Sequence, residues 1–420
     1  MRTKSMMIVA VLVLTVQTFA AVTVTNVTCQ QRYPWNGLVD INYEIRSDDA
    51  EGQYFVYPKG EDKRLGTPIV MHTLSGDGAT NAVGVGTHRM IWDAKADMPN
   101  FSTPDFTVTL QAISQGAQYL VVDLSGGTNA VTYPVRYSTT PPDVTTDKCR
   151  TTELWLRLVL PGTFMMGSPT TEYLRDSDEQ QHSVRLTHPY YIGVFELTQK
   201  QWLLIRGTPN GQYSGDCRPV DRVSYDMIRG TNLGAQWPQY SDLDDDSFMG
   251  IMRRKTSLKF DLPTEAQWEY ACRAGSKNSW NSGKEGEYFY LSGHGSDYGN
   301  RELSNLGRYI ANRNDGHDSY EEHTKVGLYR PNAWGLYDMH GNVIEWCLDG
   351  YKSIMADYEE IDPVGADSTE KRCLRGGNYG SKAQFCRSAD RGGEKSNVTG
   401  YWDGKNYAGI GFRVVCLPVE

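Results

Sequence analysis

From residue 149 to the C-terminus only three stretches carry helix start and stop signals, and each is about ten residues long. Thr198 opens the first, with Gln201 at its third helical position and Gly207 ending it. Ser247 opens the second, after the acidic run Asp242 to Asp246. Thr264 opens the third, where Gln267 completes a capping box and Gly275 follows the end. Helices this short leave short strands and long ordered loops to make up the rest. Such loops need extra fasteners, such as disulfides or ions. One glycine in every ten residues and 26 tyrosines also fit a sheet- and loop-rich chain better than a helical bundle. The expected fold class is α+β with much irregular structure.

The first part of the chain has a different texture. Leu38-Val-Asp-Ile-Asn-Tyr-Glu-Ile45, His88-Arg-Met-Ile-Trp92 and Phe106-Thr-Val-Thr-Leu110 alternate apolar and polar residues between Gly, Pro, Asp and Asn turns. Period-two segments at this spacing predict a small Ig-like β-sandwich. Tyr119 to Tyr137 reads as a further hairpin around Ser125-Gly-Gly-Thr-Asn129. Residues 21–137 are thus one β-rich module and 138–148, rich in Pro and Thr, a linker. The remainder, 149–420, is the second domain.

Residues 1–20 read as an export signal. Arg2 and Lys4 precede the apolar stretch Met6 to Val16, and Thr18-Phe-Ala20 offers a small-residue cleavage pattern. The apolar stretch is too short to span a membrane, and no second run of suitable length follows. The expectation is a secreted or periplasmic protein without a membrane span once the signal is removed. Eight cysteines, at 29, 149, 217, 272, 347, 373, 386 and 416, suit disulfides in that setting, although their pairing is not readable from spacing. No CxxC pair supports a zinc ribbon or thioredoxin-like site. A net charge of −9 argues against a nucleic-acid partner.

Several motifs were weighed for chemistry. Asp242-Leu-Asp-Asp-Asp246 lacks the Gly and Glu of a calcium loop and instead suits the positive end of the helix that follows. The scattered histidines form no HExxH or HxH pattern, and GxSxG and phosphate-binding Gly loops are absent from the sequence. Asp338-Met-His-Gly341-Asn-Val343-Ile-Glu345-Trp346 sets two carboxylates around a glycine. They either wrap a hard cation or mark a turn entering a strand. Arg375-Gly-Gly-Asn-Tyr379 reads as a strand-to-loop turn relieved by glycine. Cys386 follows it, flanked by Arg387 and Arg391, and is open to two readings: a thiolate activated by the arginines, or half of a disulfide.

Eight blocks in order resemble the formylglycine-generating enzyme (sulfatase-modifying factor) family over about residues 150–417. They are Pro161-Gly-Thr-Phe-Met-Met-Gly167, Tyr190 to Gln199, Arg218-Pro-Val with Val223-Ser-Tyr, and Leu262-Pro-Thr-Glu-Ala-Gln-Trp-Glu-Tyr-Ala-Cys-Arg273. Pro331-Asn-Ala-Trp-Gly-Leu-Tyr337, Gly341-Asn-Val-Ile-Glu-Trp346, Leu374-Arg-Gly-Gly-Asn378 and Gly411-Phe-Arg413 complete the series. The resemblance implies a fold related to C-type-lectin-like domains, with structural calcium. One calcium would use Asp338, the carbonyls of Gly341 and Val343, and Glu345. A second would use Asn312, the carbonyl of Arg313, Asp318 and the carbonyl of Tyr320. It also implies a Cys272–Cys386 disulfide, with Cys347–Cys373 as a further pair.

The family's oxidases hold copper(I) between two cysteines shortly after the Gly-Gly turn and convert a sulfatase cysteine to formylglycine. Alignment on Gly376-Gly377 places Ser381 at the first cysteine and Cys386 at the second, so copper is not expected, because a hydroxyl is a poor ligand for a soft ion. Three functions follow from the resemblance. The first is a binding or structural module for a protein, peptide or glycan, with a groove near Trp334, Asn378, Tyr379 and Trp402. The second is a formylglycine-generating oxidase with an altered metal site. The third is an iron-dependent oxygenase of the ergothioneine-pathway type, which would need a histidine-rich partner domain that the N-terminal half does not offer.

Overall fold

The computed structural model describes residues 22–418 apart from 35, 64–66, 70, 72, 80, 99–104, 232–242, 291–297, 313–321, 366–369 and 403–406. The expected export signal, residues 1–20, lies outside the described residues. The protein is a mixed chain of short strands, short helices and irregular segments.

Two antiparallel sheets make up the N-terminal part. Val22–Gln31, Leu38–Ser47, Gly86–Asp93 and Leu74–Gly76 form one, and Thr67–Ile69, Tyr54–Asp62 and Phe106–Ser114 the other. Alternation decides which side chains are covered. Ile41, Tyr43 and Ile45 from the first sheet and Tyr54 and Val56 from the second share one apolar cluster with Met90 and Trp92.

The second part is built on two larger sheets. The strand Glu153–Val159 lies inside a six-stranded sheet between Tyr190–Gly193 and Tyr119–Asp123. Six of its seven residues are buried, so it reads as a continuous run rather than an alternating one. The five-stranded sheet runs Gly392–Lys395, Lys371–Arg375, Ile344–Gly350, Tyr407–Gly411, Gly400–Trp402. Leu156, Trp346, Leu374 and Phe412 bring both sheets into one core with Trp202 and Phe248.

The hairpin expected at the end of the N-terminal module belongs instead to the six-stranded sheet. Tyr119–Asp123 pairs with Val135–Ser138 on one side and with Glu153–Val159 on the other. Its apolar pattern fitted either unit, and strand pairing decided between them.

All three expected helices form, as Gln199–Arg206, Phe248–Thr256 and Glu265–Arg273. Thr198 and Thr264 each complete a reciprocal capping box with Gln201 and Gln267. A fourth, Tyr225–Arg229, is capped by Ser224 and is too short to show a periodic signal.

The fasteners are not those the sequence led us to expect. None of the eight cysteines is in a disulfide, so neither Cys272–Cys386 nor Cys347–Cys373 is joined here. Buried guanidinium groups tie the loops instead. Arg375 reaches Glu265 (2.8 Å), Glu269 (2.9 Å) and the carbonyls of Ser388 and Asp390. Arg387 grips both oxygens of Glu179 at 2.6 and 2.7 Å. Arg229 makes a two-pronged contact with Asp261 at 2.7 and 3.1 Å. Burial alone would raise the Glu265 carboxyl, but Arg391 and Arg375 outweigh it and hold the group far below the usual carboxylate range.

Replacing Arg375 with alanine removes the guanidinium that bridges Glu265 and Glu269, leaving the first to Arg391 and the second to Arg273 alone. The loss is expected at about 3–5 kcal/mol of unfolding free energy, read by urea denaturation.

Candidate functional site

Three chain segments converge on the turn that follows Lys371–Arg375. Gly376 and Gly377 both take left-handed φ values, +93° and +68°. A Cβ at Gly376 would lie 3.1 Å from the Trp268 ring. At Gly377 it would lie 2.4 Å from the Phe385 carbonyl oxygen and 2.7 Å from Cys386 Sγ. The turn is therefore pressed between the Glu265–Arg273 helix and the Ala383–Cys386 turn, and glycine is the residue that fits.

Asn342 holds this turn to two other segments. Its backbone carbonyl accepts from Tyr379 N (3.0 Å) and its Oδ1 from Thr324 N (2.9 Å), while its own N–H donates to the Arg308 carbonyl at 2.8 Å. Its Nδ2 donates to Glu196, whose other oxygen accepts from Val343 N at 3.0 Å. Asn342 has φ +62°, a conformation that asparagine tolerates better than most residues. Neither Asn342 nor Glu196 was singled out from the sequence. Asn342 stands within the Gly341-Asn-Val motif and Glu196 within the Tyr190 to Gln199 block, but the 146 positions between them gave no sign of their pairing.

Ser381 and Cys386 are both inside the protein. Ser381 Oγ accepts from Asn378 N (3.0 Å), its N–H donates to the Asn378 carbonyl (2.9 Å), and its carbonyl accepts from Ile310 N (3.1 Å). Its hydroxyl is thus spent on closing the turn. Cys386 packs with Trp280, Leu303, Tyr309 and Ala383. The two arginines that flank it in sequence turn elsewhere, Arg387 to Glu172 and Glu179 and Arg391 to Glu265. The reading of Cys386 as an arginine-activated thiolate is corrected on that ground.

His340 lies between Cys386 and Cys272. Its Nδ1 is 2.7 Å from the Cys386 carbonyl, its Nε2 accepts from Asn281 N (3.2 Å) and lies 3.9 Å from Cys272 Sγ. These contacts call for a neutral ring. Burial brings its pKa down to about 4 and pushes the Cys272 thiol up to about 12.

Two of the four residues expected to line a groove, Asn378 and Tyr379, lie inside the protein. Tyr379 is 3% exposed and meets the rings of Tyr213 and His323 edge-on, and Asn378 is fully buried. Trp334 packs against Tyr270 in a different cluster. Trp402 is on the edge strand Gly400–Trp402, and its side chain lies outside the described residues. Aromatic character predicted contact area here, but the tight turn puts that area inside.

At the first expected calcium position, Asp338 Oδ2 accepts from Gly327 N at 2.6 Å, while buried Oδ1 has no hydrogen-bond partner. Burial pushes this carboxyl up to about 6. Glu345 is committed elsewhere, to Arg413 at 2.7 and 2.8 Å and to Trp268 Nε1 at 3.0 Å. Of the two carboxylates expected to hold a hard cation, Asp338 keeps a free oxygen and Glu345 does not. At the second position, Asn312 Oδ1 accepts from Tyr309 N and its Nδ2 donates to the Gly307 carbonyl. Arg313, Asp318 and Tyr320 lie outside the described residues.

A cavity of about 240 Å³ opens at the start of the Glu265–Arg273 helix. Met166, Ile354, Met355 and Val364 give it apolar walls, and Asp349, Lys352 and Arg391 its polar ones. Asp349 accepts from Glu265 N and Gly365 N, both at 2.7 Å, and burial pushes it up to about 7. The sequence reading had no signal for this recess.

The chain belongs to the family of the sulfatase-modifying factor enzyme 1-like domain, whose model matches residues 142–416. It is 33% identical to the mouse formylglycine-generating enzyme over 133 residues, 30% of this chain and 32% of that protein. It is 34% identical to the Streptomyces coelicolor formylglycine-generating enzyme over 161 residues, 36% of this chain and 45% of that one. Against the chaperone protein LppX of Paenibacillus barcinonensis it is 29% identical over 183 residues, 38% and 62% of the two chains. The chain therefore spans less than two thirds of these relatives. The solved structure of PvdO from Pseudomonas aeruginosa resembles it with a TM-score of 0.48 at 23% identity, over 63% of this chain and 94% of that one.

Two measurements check this geometry. Gly377→Ala combines a strained φ with two backbone and sulfur clashes, and is expected to lower stability by about 2 kcal/mol or more in urea denaturation. His340, held neutral, contributes stability that is full above about pH 6.5 and is lost as pH falls toward 4. The wild type should therefore lose about 3 kcal/mol more than His340→Gln over that interval, in paired denaturation curves.

Proposed function

We propose that this chain is an extracytoplasmic family member whose second domain is a binding or structural module rather than a copper oxidase. The observation that carries this reading is the state of Ser381. The family's copper(I) site takes two thiolates, and this chain offers one hydroxyl, already accepting the Asn378 N–H, and one buried sulfur packed on Gly377. Soft copper(I) gains little from a hydroxyl oxygen. The residues present therefore do not fit that metal, and no oxidation step is derived through it.

In this reading the N-terminal sheets form a sandwich that spaces the module from its surroundings. Calcium, where bound, is held through Asp338 with the carbonyls of Gly341 and Val343. The partner is a protein, peptide or glycan, met at a surface other than the buried 376–381 turn. The cavity beside Asp349 and Lys352 offers an amphipathic recess for such a ligand.

Copper(I) titration of the purified chain against a competing chelator tests the proposal, together with an assay for formylglycine in a sulfatase-motif peptide. The expected result is no tight one-to-one copper and no peptide oxidation. Tight binding abolished by Cys386→Ser, with oxidised peptide formed, would reverse the reading in favour of the oxidase.

A further inference from the structure

A group of buried polar atoms with no hydrogen-bond partner collects on the far side of Tyr379. His323 is fully buried, and neither Nδ1 nor Nε2 has a partner. Asp221 is fully buried as well. Its Oδ1 accepts from Gln212 N at 2.6 Å, while Oδ2 has no partner. The side-chain oxygen of Gln212 is buried and also unpartnered. Tyr213 and Tyr379 stand edge-on to the His323 ring at 5.4 and 6.1 Å and close the space from two sides.

Buried polar groups without partners are costly, and the ionisable side chain nearest to Asp221 in a paired geometry is His323. Yet His323 Nε2 and Asp221 Oδ1 are 3.7 Å apart, too far for a hydrogen bond. That spacing, to the oxygen that also takes the Gln212 N–H, has another meaning. Two ligand atoms each about 2.1 Å from one metal ion, and about 120° apart around it, are separated by about 3.6 Å. An imidazole, a carboxylate and an amide oxygen make a nitrogen–oxygen set suited to a divalent first-row ion and unsuited to copper(I). The pieces also come from two separate segments, 212–221 and 323, which an ion would join.

We infer that Asp221, His323 and Gln212 form a binding site for a divalent first-row metal ion, separate from the family's thiolate position and from Asp338. The ion would give a partner to the imidazole nitrogen and to the Asp221 carboxylate. His323 and Asp221 are the principal ligands, and Gln212 adds a weaker oxygen.

The experiment uses the purified full chain, stripped with chelator and titrated with cobalt(II) and zinc(II). The expected result is one equivalent of cobalt(II) with a visible d–d band, and no intense thiolate charge-transfer band in the near ultraviolet. His323→Ala and Asp221→Asn should each weaken binding at least tenfold, whereas Cys386→Ser should leave it unchanged. Zinc should raise the melting temperature of the wild type and not that of His323→Ala. Circular dichroism establishes that each variant is folded, and His323→Gln replaces any alanine variant that is not. Failure to bind either ion, affinity unchanged in folded His323 and Asp221 variants, or a thiolate signature would each overturn the inference.

Discussion

Buried guanidinium–carboxylate pairing is the constraint on which the second domain depends. A domain of short strands and five- to nine-residue helices has few long ladders in which to spend its backbone polar groups. An arginine has five donors in a rigid fork, so it can neutralise an acid and hold carbonyls from neighbouring loops at once. Arg413 does so: it binds both oxygens of Glu345 and also the carbonyls of Gly193 and Tyr337. Each such residue removes the need for a longer regular element. The cost is that losing one partner leaves the other charged and dry.

The helices were legible because their signals are local. Thr198 and Thr264 sit three positions before the glutamines that complete their caps. The Gly376-Gly377 turn was legible for the same reason, since steric demand acts on adjacent residues. What joins distant segments was not. Arg387 and Glu179 are 208 positions apart, and no pattern in either neighbourhood announces the other. The Tyr119–Asp123 strand shows the same limit, because alternation gives the face of a strand and not the sheet it enters. Tyr379 was recognised as a site aromatic and placed on the wrong side of the surface, since a turn of six residues can point its side chains either way.

Family membership and local chemistry separate at this turn. The turn is shaped by Trp268 under Gly376, the Asn342 cross-tie and the Arg375 anchor. At Ser381 it holds an alcohol that serves the backbone. Fold conservation follows packing, while activity follows one or two atoms, and the two are free to diverge.

The Ser381 hydroxyl has a consequence for what the position can hold. Sulfur there would replace the acceptor that satisfies Asn378 with a larger atom and a weaker acceptor. The neighbouring thiol is wedged against Gly377, so it has little rotational latitude with which to meet a new partner. A second sulfur at this turn would therefore need the loop rebuilt around it, not a single exchanged atom.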